Sequence, residues 1–219
     1  MKRIALLHTV QPVLHSFGAL LQEVVGRPLL IHNLLDEFLA TNPAEVGSFT
    51  IENRSRLYND LKSCELTGAD LIVVTCSTLT PTVEQIRPFI KVPVIAIDDA
   101  MSQEAVRLGS RIKVVATAQS TVEPTIAKIR ADAQRAQRSI VIDGVSNREA
   151  FDAMRSGDMA THDRLVLAMI EQIVDYDVIV LAQASMAHLQ AEAERCAKIP
   201  TLSSPRLCCL EVKGLLETL

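Results

Sequence analysis

Short runs of consecutive apolar residues alternate along the whole chain with longer stretches of helical periodicity. Most of these runs are continuous and do not alternate with polar residues, which is typical of strands buried on both faces of a parallel sheet. Seven strands are predicted in this way: Ile4–His8, Leu29–His32, Leu71–Thr75, Val94–Ile97, Lys113–Thr117, Ile140–Ile142 and Val178–Ala182. Repeated strand–helix units of this kind predict an α/β fold with helices on both faces of each sheet.

Proline and acidic residues indicate where several helices begin. The pairs Thr80-Pro81 and Glu123-Pro124 place a proline where the first turn of a helix tolerates it. Asp98-Asp99 can cap a helix that runs towards Gly109. The segment 41–47 (TNPAEVG) is the most loop-like stretch, and we interpret it as a surface loop, with a mobile flap over a site as the alternative.

An internal repeat divides the chain into two similar halves. The segment from Asp70 to Pro93 aligns without a gap on the segment from Asp177 to Pro200, at a constant offset of 107 positions, with Asp, Ile, Val, Lys and Pro in identical places. Residues 3–11 likewise resemble residues 111–119. We therefore predict two pseudo-symmetric lobes, each a parallel sheet flanked by helices, with the active site in the cleft between them. The predicted boundaries are 1–98 plus 206–219 for lobe one and 99–205 for lobe two.

Composition and charge exclude several classes of protein. A hydrophobic content of 48% excludes disorder, and the apolar runs end well before the ~20 residues that a membrane span requires. The net charge of −4, the lack of a basic stripe and an aromatic content of 3% argue against nucleic-acid binding. Five cysteines without a CxxC pair disfavour a zinc site or a disulfide framework and favour a reducing compartment. We predict a cytoplasmic protein without a metal, whose partners include neither nucleic acid nor membrane.

Four polar turns follow predicted strands, at the edge of the sheet where parallel α/β proteins bind their ligands. These turns are residues 8–11, 75–78, 117–121 and 183–185. Each turn leads into a helix whose first N–H groups lack intrahelical partners, and these groups suit a carboxylate when Ser and Thr hydroxyls lie beside them. Because no glycine-rich phosphate loop occurs, a small acidic metabolite is favoured over a nucleotide.

Cys76 is the predicted catalytic residue. It follows a buried strand and precedes the helix that begins at Pro81, so its sulfur should lie near helical N–H donors that favour the thiolate. The other four cysteines fall in helical or terminal stretches and are interpreted as inert. His8 ends the first strand and could orient or deprotonate Cys76, with a structural role equally open, whereas His188 is interpreted as structural.

The combined segments resemble the aspartate/glutamate/hydantoin racemase superfamily, whose relatives include maleate isomerase and arylmalonate decarboxylase. Residues 69–78 (ADLIVVTCST) are similar to the cysteine motif of its first lobe, and residues 93–100 are similar to the strand and turn that follow. Residues 114–121 (VVATAQST) are similar to the segment that binds the substrate carboxylate. The resemblance implies two pseudo-symmetric α/β lobes, chemistry at the carbon next to a carboxylate without a cofactor, and a homo-oligomer.

The chain departs from that pattern at one catalytic position. Racemases of this group set one cysteine on each face of the reacting carbon, but the position equivalent to Cys76 in the second copy is Gln183, which cannot exchange a proton near neutral pH. Three functions stay open. Cys76 could work with a different partner, such as His8 or His188, in a racemase or epimerase. It could perform one-faced chemistry, such as protonation after decarboxylation or addition to an activated double bond. The protein could also bind a small carboxylate without turnover.

The resulting hypothesis is an isomerase that acts on a small carboxylate or amino-acid-like substrate, with a decarboxylase as the alternative. Cys76 and His8 are its predicted catalytic residues. The predicted substrate contacts are Thr9, Gln11, Ser77, Thr78, Thr117, Thr121, Gln183 and Ser185.

Overall fold

The computed structural model describes residues 1–218, which form two compact units. The first unit comprises Met1–Asp99 together with the chain from Pro205 onwards, and the second comprises Ala100–Ser204. Each unit contains one four-stranded parallel sheet with helices between successive strands. The predicted α/β fold with two parallel sheets is thereby confirmed.

The first unit has the strand order β2-β1-β3-β4. Its strands are β1 (Arg3–His8), β2 (Leu30–Leu35), β3 (Leu71–Val74) and β4 (Val94–Ala96). Its helices are α1 (Gln11–Val25), α2 (Phe38–Val46), α3 (Ile51–Leu66) and α4 (Thr80–Ile86), with short 3-10 helices at Ser77–Leu79 and Arg87–Phe89. The C-terminal helix, from Ser204 to Leu216, ends this unit.

The second unit repeats the same strand order as β6-β5-β7-β8. Its strands are β5 (Arg111–Ala116), β6 (Val141–Ser146), β7 (Val178–Leu181) and β8 (Thr201–Ser203). Its helices are α5 (Asp99–Leu108), α6 (Gln119–Arg135), α7 (Arg148–Arg155), α8 (Met159–Ile170) and α9 (Gln190–Ala197), with a 3-10 helix at Ala184–Leu189. The C-terminal helix is therefore α10.

Burial explains why the central strands read as continuous apolar runs. All four residues of β3 and all four residues of β7 are buried, because helices cover both faces of each sheet. No helix within residues 1–218 combines the length and the apolar character needed to cross a lipid bilayer.

The repeated aspartate makes the same hydrogen bond in both units. Asp70 Oδ2 accepts a hydrogen bond from the backbone N–H of Arg3 at 2.8 Å, and Asp177 Oδ2 accepts one from the backbone N–H of Arg111 at 2.8 Å. The N–H of Ser110 donates to the same Asp177 oxygen at 2.7 Å. Each aspartate therefore ties the start of the central strand to the start of its neighbour, and these hydrogen bonds lower the pKa of both carboxyls.

The repeated proline also accepts the same hydrogen bond in both units. The carbonyl of Pro93 accepts a hydrogen bond from the N–H of Ile72, and the carbonyl of Pro200 accepts one from Ile179, each at 2.9 Å. The isoleucine and the proline of the repeat thus begin the pairing of β3 with β4 and of β7 with β8.

Strands β2 and β6 are longer than predicted, since they extend to Leu35 and Ser146. The structure also differs from the sequence-based prediction in three other places. Residues 41–46, predicted to be a loop, belong to α2 and include Pro43, which costs that short helix one hydrogen bond. Helix α6 begins at Gln119, so Pro124 lies inside the helix and not in its first turn. Strand β8 was not predicted because its three residues, Thr201 to Ser203, include a single apolar side chain. The helix start at Thr80-Pro81 is confirmed.

Candidate functional site

Cys76 lies at the carboxyl edge of the sheet in the first unit. It follows β3 and Thr75 and immediately precedes the 3-10 helix Ser77–Leu79, with extended backbone angles (φ −129°, ψ 112°). Its side chain is half-buried, and Sγ lies 3.0 Å from Oγ1 of Thr78. The two groups are within hydrogen-bond distance, and either atom can be the donor.

The other cysteines have different surroundings. Cys64, Cys208 and Cys209 are buried, whereas Cys196 is exposed on α9. Burial raises the pKa of Cys64 to about 11 and that of Cys209 to about 12, and it raises the pKa of Cys208 well above its ordinary value. Buried thiols of this kind are poor nucleophiles near neutral pH. Cys76 is thus the cysteine that combines a strand end with partial exposure.

His8 ends β1 and is completely buried. Its Nδ1 lies 2.8 Å from Oγ1 of Thr75, and its Nε2 lies 3.1 Å from Oδ1 of Asn33 on β2. Burial lowers the pKa of His8, and the hydrogen bond to Asn33 offsets part of that effect. Since both ring nitrogens already have partners, His8 is placed to fix Thr75, the residue before Cys76. Direct deprotonation of Cys76 would require one nitrogen to leave its partner.

The other predicted contacts of the first unit lie at the same edge, because β1 and β3 are parallel neighbours. Thr9 is buried directly after β1, and Gln11 is the exposed first residue of α1, where its Nε2 donates to Oε1 of Glu37 at 3.2 Å. Ser77 is half-buried and Thr78 is exposed. The hydroxyl groups of Thr9, Ser77 and Thr78 therefore lie at the same sheet edge as Cys76, and that of Thr78 contacts its sulfur.

Two interacting carboxyl groups, buried Asp36 and half-buried Asp60, were not predicted from the sequence. The N–H of Asp36 donates to the carbonyl of His8 at 2.9 Å, and the Asp36 carboxylate accepts a hydrogen bond from Nε of Arg56. Burial, a hydrogen bond with Asp36 and the charge of Asp36 raise the pKa of Asp60 to about 7. The spacing of Arg56 and Asp60, one helical turn apart on α3, is the sequence signal that could have shown the cluster.

In the second unit the predicted residues Gln183 and Thr117 contact each other. Oε1 of Gln183 accepts hydrogen bonds from the backbone N–H of Thr117 at 2.6 Å, from its hydroxyl at 3.0 Å and from the backbone N–H of Ala118 at 3.1 Å. These are the donors that the sequence assigned to a substrate carboxylate. A ligand that binds them must displace the side-chain carbonyl of Gln183.

The two remaining residues of the second unit differ in exposure. Thr121 is buried in the first turn of α6, whereas Ser185 is exposed on the 3-10 helix Ala184–Leu189. The edge of the first unit therefore carries a thiol, and the equivalent edge of the second unit carries an amide that cannot transfer a proton near neutral pH.

Comparison with known proteins gives a family match over most of the chain. Residues 42–210 match the family model for Asp/Glu/hydantoin racemases. Among curated proteins, no sequence matches this chain significantly.

Solved structures with the same fold include racemases and a decarboxylase. A glutamate racemase of Bacillus anthracis superposes with a TM-score of 0.74 at 14% identity, covering 99% of this chain and 82% of the racemase. Allantoin racemase of Klebsiella pneumoniae gives 0.65 at 18% identity, with 100% and 89% covered. Arylmalonate decarboxylase gives 0.61 at 13% identity, with 97% and 92% covered. At such identities these structures establish the shared fold.

Proposed function

Because this chain belongs to the aspartate/glutamate/hydantoin racemase family, we propose that it is a cofactor-independent isomerase acting at the carbon next to the carboxylate of a small acid. The observation that carries the proposal is the position of Cys76. Cys76 is a half-buried thiol just after a central strand, 3.0 Å from the hydroxyl of Thr78. The equivalent position of the second unit holds Gln183.

In this mechanism the Cys76 thiolate removes the proton from the carbon next to the carboxylate. The electron pair of the C–H bond moves into the carboxylate and forms an enediolate, and the sulfur becomes a thiol. Hydroxyl and N–H donors stabilise the added negative charge, and the predicted donors of the first unit are Thr9, Gln11, Ser77 and Thr78. Because Gln183 cannot supply a proton, a water molecule on the opposite face returns one to the carbon and inverts it.

The His8–Thr75 hydrogen bond supports the proposal indirectly. It holds the residue that precedes Cys76, so the thiol is attached to a backbone fixed from both sides, by β1 and by the following 3-10 helix. A group held this firmly loses less entropy when it meets the substrate.

A decarboxylase is the second candidate, and Gln183 favours it. A racemase of the two-thiol kind needs a proton donor on each face of the carbon, but a single thiol suffices for decarboxylation. In that reaction the C–C electron pair remains on the substrate when carbon dioxide leaves, and the S–H of Cys76 protonates one face of the resulting enediolate. The similarity in fold to arylmalonate decarboxylase supports this candidate.

Proton NMR in D2O distinguishes the two candidates. The substrate panel consists of glutamate, aspartate and phenylmalonate, with allantoin as a substrate that lacks a carboxylate. Deuterium entering at the α carbon with the carboxylate retained supports the isomerase, and loss of a carboxylate supports the decarboxylase. Exchange on allantoin alone would contradict the choice of a carboxylate substrate.

Variants of two cysteines test the assignment of Cys76. Cys76→Ala should lower turnover at least 1,000-fold, since no other side chain at that position transfers the proton. Cys196→Ala is the matched control, because that thiol is exposed on α9 and should be dispensable. Full activity of Cys76→Ala would overturn the proposal.

A further inference from the structure

Two histidines and an aspartate meet in the second unit. His162 and Asp163 lie on α8, and His188 lies on the 3-10 helix Ala184–Leu189. Oδ1 of Asp163 is 2.7 Å from Nδ1 of His162 and 2.9 Å from Nε2 of His188. Both rings therefore turn a nitrogen towards the same carboxylate. The two imidazole rings are stacked, with their centroids 6.3 Å apart.

We propose that His162, Asp163 and His188 form a binding site for one divalent cation of the late first transition row, such as Zn²⁺. One potential ligand atom from each residue lies within 4.8 Å of the other two. Two imidazole nitrogens and one carboxylate oxygen are a donor set that suits zinc and its neighbours, whereas Mg²⁺ and Ca²⁺ prefer oxygen ligands alone.

The distances fit such an ion after small side-chain movements. Metal–ligand bonds of about 2.0–2.2 Å in a tetrahedral site hold ligand atoms roughly 3.3–3.5 Å apart. The distances from Asp163 Oδ1 to His162 Nδ1 and to His188 Nε2 are those of hydrogen bonds, 2.7 and 2.9 Å. Each must widen by about 0.6 Å for the three atoms to hold one ion. Rotation of the His188 and Asp163 side chains, which lie at the surface, can provide this movement.

Burial differs among the three ligands in a way that suits an open metal site. The side chain of His162 is fully buried, whereas that of Asp163 is 30% exposed and that of His188 is 46% exposed. An ion can therefore enter from solvent, and water can complete its coordination. The Asp163 carboxylate already accepts hydrogen bonds from both histidines.

The second ring nitrogen of His162 limits how tightly this site can hold an ion. Its Nε2 is buried and has no hydrogen-bond partner among residues 1–218, which is unusual for a buried polar atom. When Nδ1 binds a metal, the ring proton lies on Nε2 without an acceptor. We therefore expect weaker binding than in a closed structural zinc site.

The ligand spacing explains why the sequence did not reveal this site. His162 and Asp163 are adjacent, and His188 follows 25 positions after Asp163, a pattern that matches no known metal motif. Only the packing of the 3-10 helix against α8 brings the three together. A bound ion would clamp this 3-10 helix, which begins directly after Gln183.

Titration of the full-length protein with Co²⁺ tests the proposal, because Co²⁺ substitutes for Zn²⁺ and absorbs visible light. We expect one Co²⁺ per chain, with d–d absorption and without the near-ultraviolet band of a cobalt–thiolate bond. His188→Ala and Asp163→Asn should each weaken binding at least tenfold. His15→Ala, which removes an exposed histidine of α1, and Cys76→Ala should bind as the wild type does.

Zn²⁺ provides a second readout that does not depend on activity. It should raise the melting temperature of the wild type and leave that of His188→Ala unchanged. Circular dichroism spectra of His188→Ala and Asp163→Asn should match that of the wild type, because both altered side chains are partly exposed. Absence of Co²⁺ binding, a thiolate band, or full binding in both His188→Ala and Asp163→Asn would overturn the proposal. None of these results bears on the function of Cys76.

Discussion

The side-chain carbonyl of Gln183 lies 2.6 Å from the backbone nitrogen of Thr117 and shares its oxygen with a second backbone N–H, from Ala118. The glutamine therefore does more than leave a catalytic position without a thiol. Its oxygen accepts the hydrogen bonds of these two N–H groups, so the groups have a partner without any bound ligand.

Loss of this carbonyl should destabilise the protein. Gln183→Leu leaves the two backbone N–H groups without their acceptor, and we expect the free energy of unfolding to fall by about 1–3 kcal/mol. Gln183→Glu keeps an oxygen at the same place and should cost less. Urea denaturation measures both effects.

Gln11→Leu is the matched control for Gln183→Leu. That glutamine is exposed, and its side chain makes one hydrogen bond, to Glu37. A change within about 0.5 kcal/mol is expected there. Equal losses in the Gln183→Leu and Gln11→Leu variants would show that the Thr117 and Ala118 donors do not need Gln183.

The half-buried carboxyl group of Asp60 should make stability depend on pH. Its pKa of about 7 in the folded chain exceeds its ordinary value of 3.8. Between these values the unfolded chain has lost the proton and the folded chain still holds it, so stability falls as pH rises from about 4 to 7. After a discount for solvent screening of this half-buried group, the loss should be about 1–2 kcal/mol.

Asp60→Asn should remove that part of the pH dependence, because the amide does not titrate. The measurement is the difference in unfolding free energy between variant and wild type at pH 5 and at pH 8. Because the pKa of His8 is lowered in the folded chain, the fold also loses stability as the pH falls below about 6.5. This contribution is the same in the wild type and in Asp60→Asn. Asp152→Asn, at an exposed carboxylate, should retain the wild-type slope.

Gly109 should not tolerate a side chain. A Cβ atom at this position would lie 2.2 Å from Cβ of Asp177, the aspartate that fixes the start of β5. Gly109→Ala should therefore lower stability by about 1–3 kcal/mol through overpacking. Gly214→Ala is the control within α10, where nothing lies within 4 Å, and it should raise stability by up to about 1 kcal/mol. Calorimetric melting temperatures that move in the same direction for both variants would refute this explanation.

The sequence predicted the central strands well for a physical reason. β3 and β7 are buried on both faces, so burial alone dictates their apolar residues, and local pattern suffices to find them. β8 is held by pairing with β7 at the edge of its sheet, and its polar residues carry no such signal. The helix around Pro43 was hidden because its residues read locally as a turn.

The candidate site was predictable only in part. The position of Cys76 at the end of β3 follows from the strand pattern. The partners of His8 do not, because Asn33 and Thr75 reach it from two different neighbouring strands, whose order in the sheet is a tertiary property. The same limitation applies to Asp36 and Asp60.

The aspartates and prolines of the repeat separate architecture from chemistry. Asp70 and Asp177 anchor strand starts, and Pro93 and Pro200 anchor strand pairing. Positions 76 and 183 lie between these anchors in the sequence, and their residues differ: cysteine in one copy and glutamine in the other. Because the anchors and the reactive positions are different residues, the reactive residue of one half can change without altering the strand pairing of its sheet. A thiol introduced at position 183 would leave these strand anchors intact but would give up the hydrogen bonds that Gln183 accepts from Thr117 and Ala118.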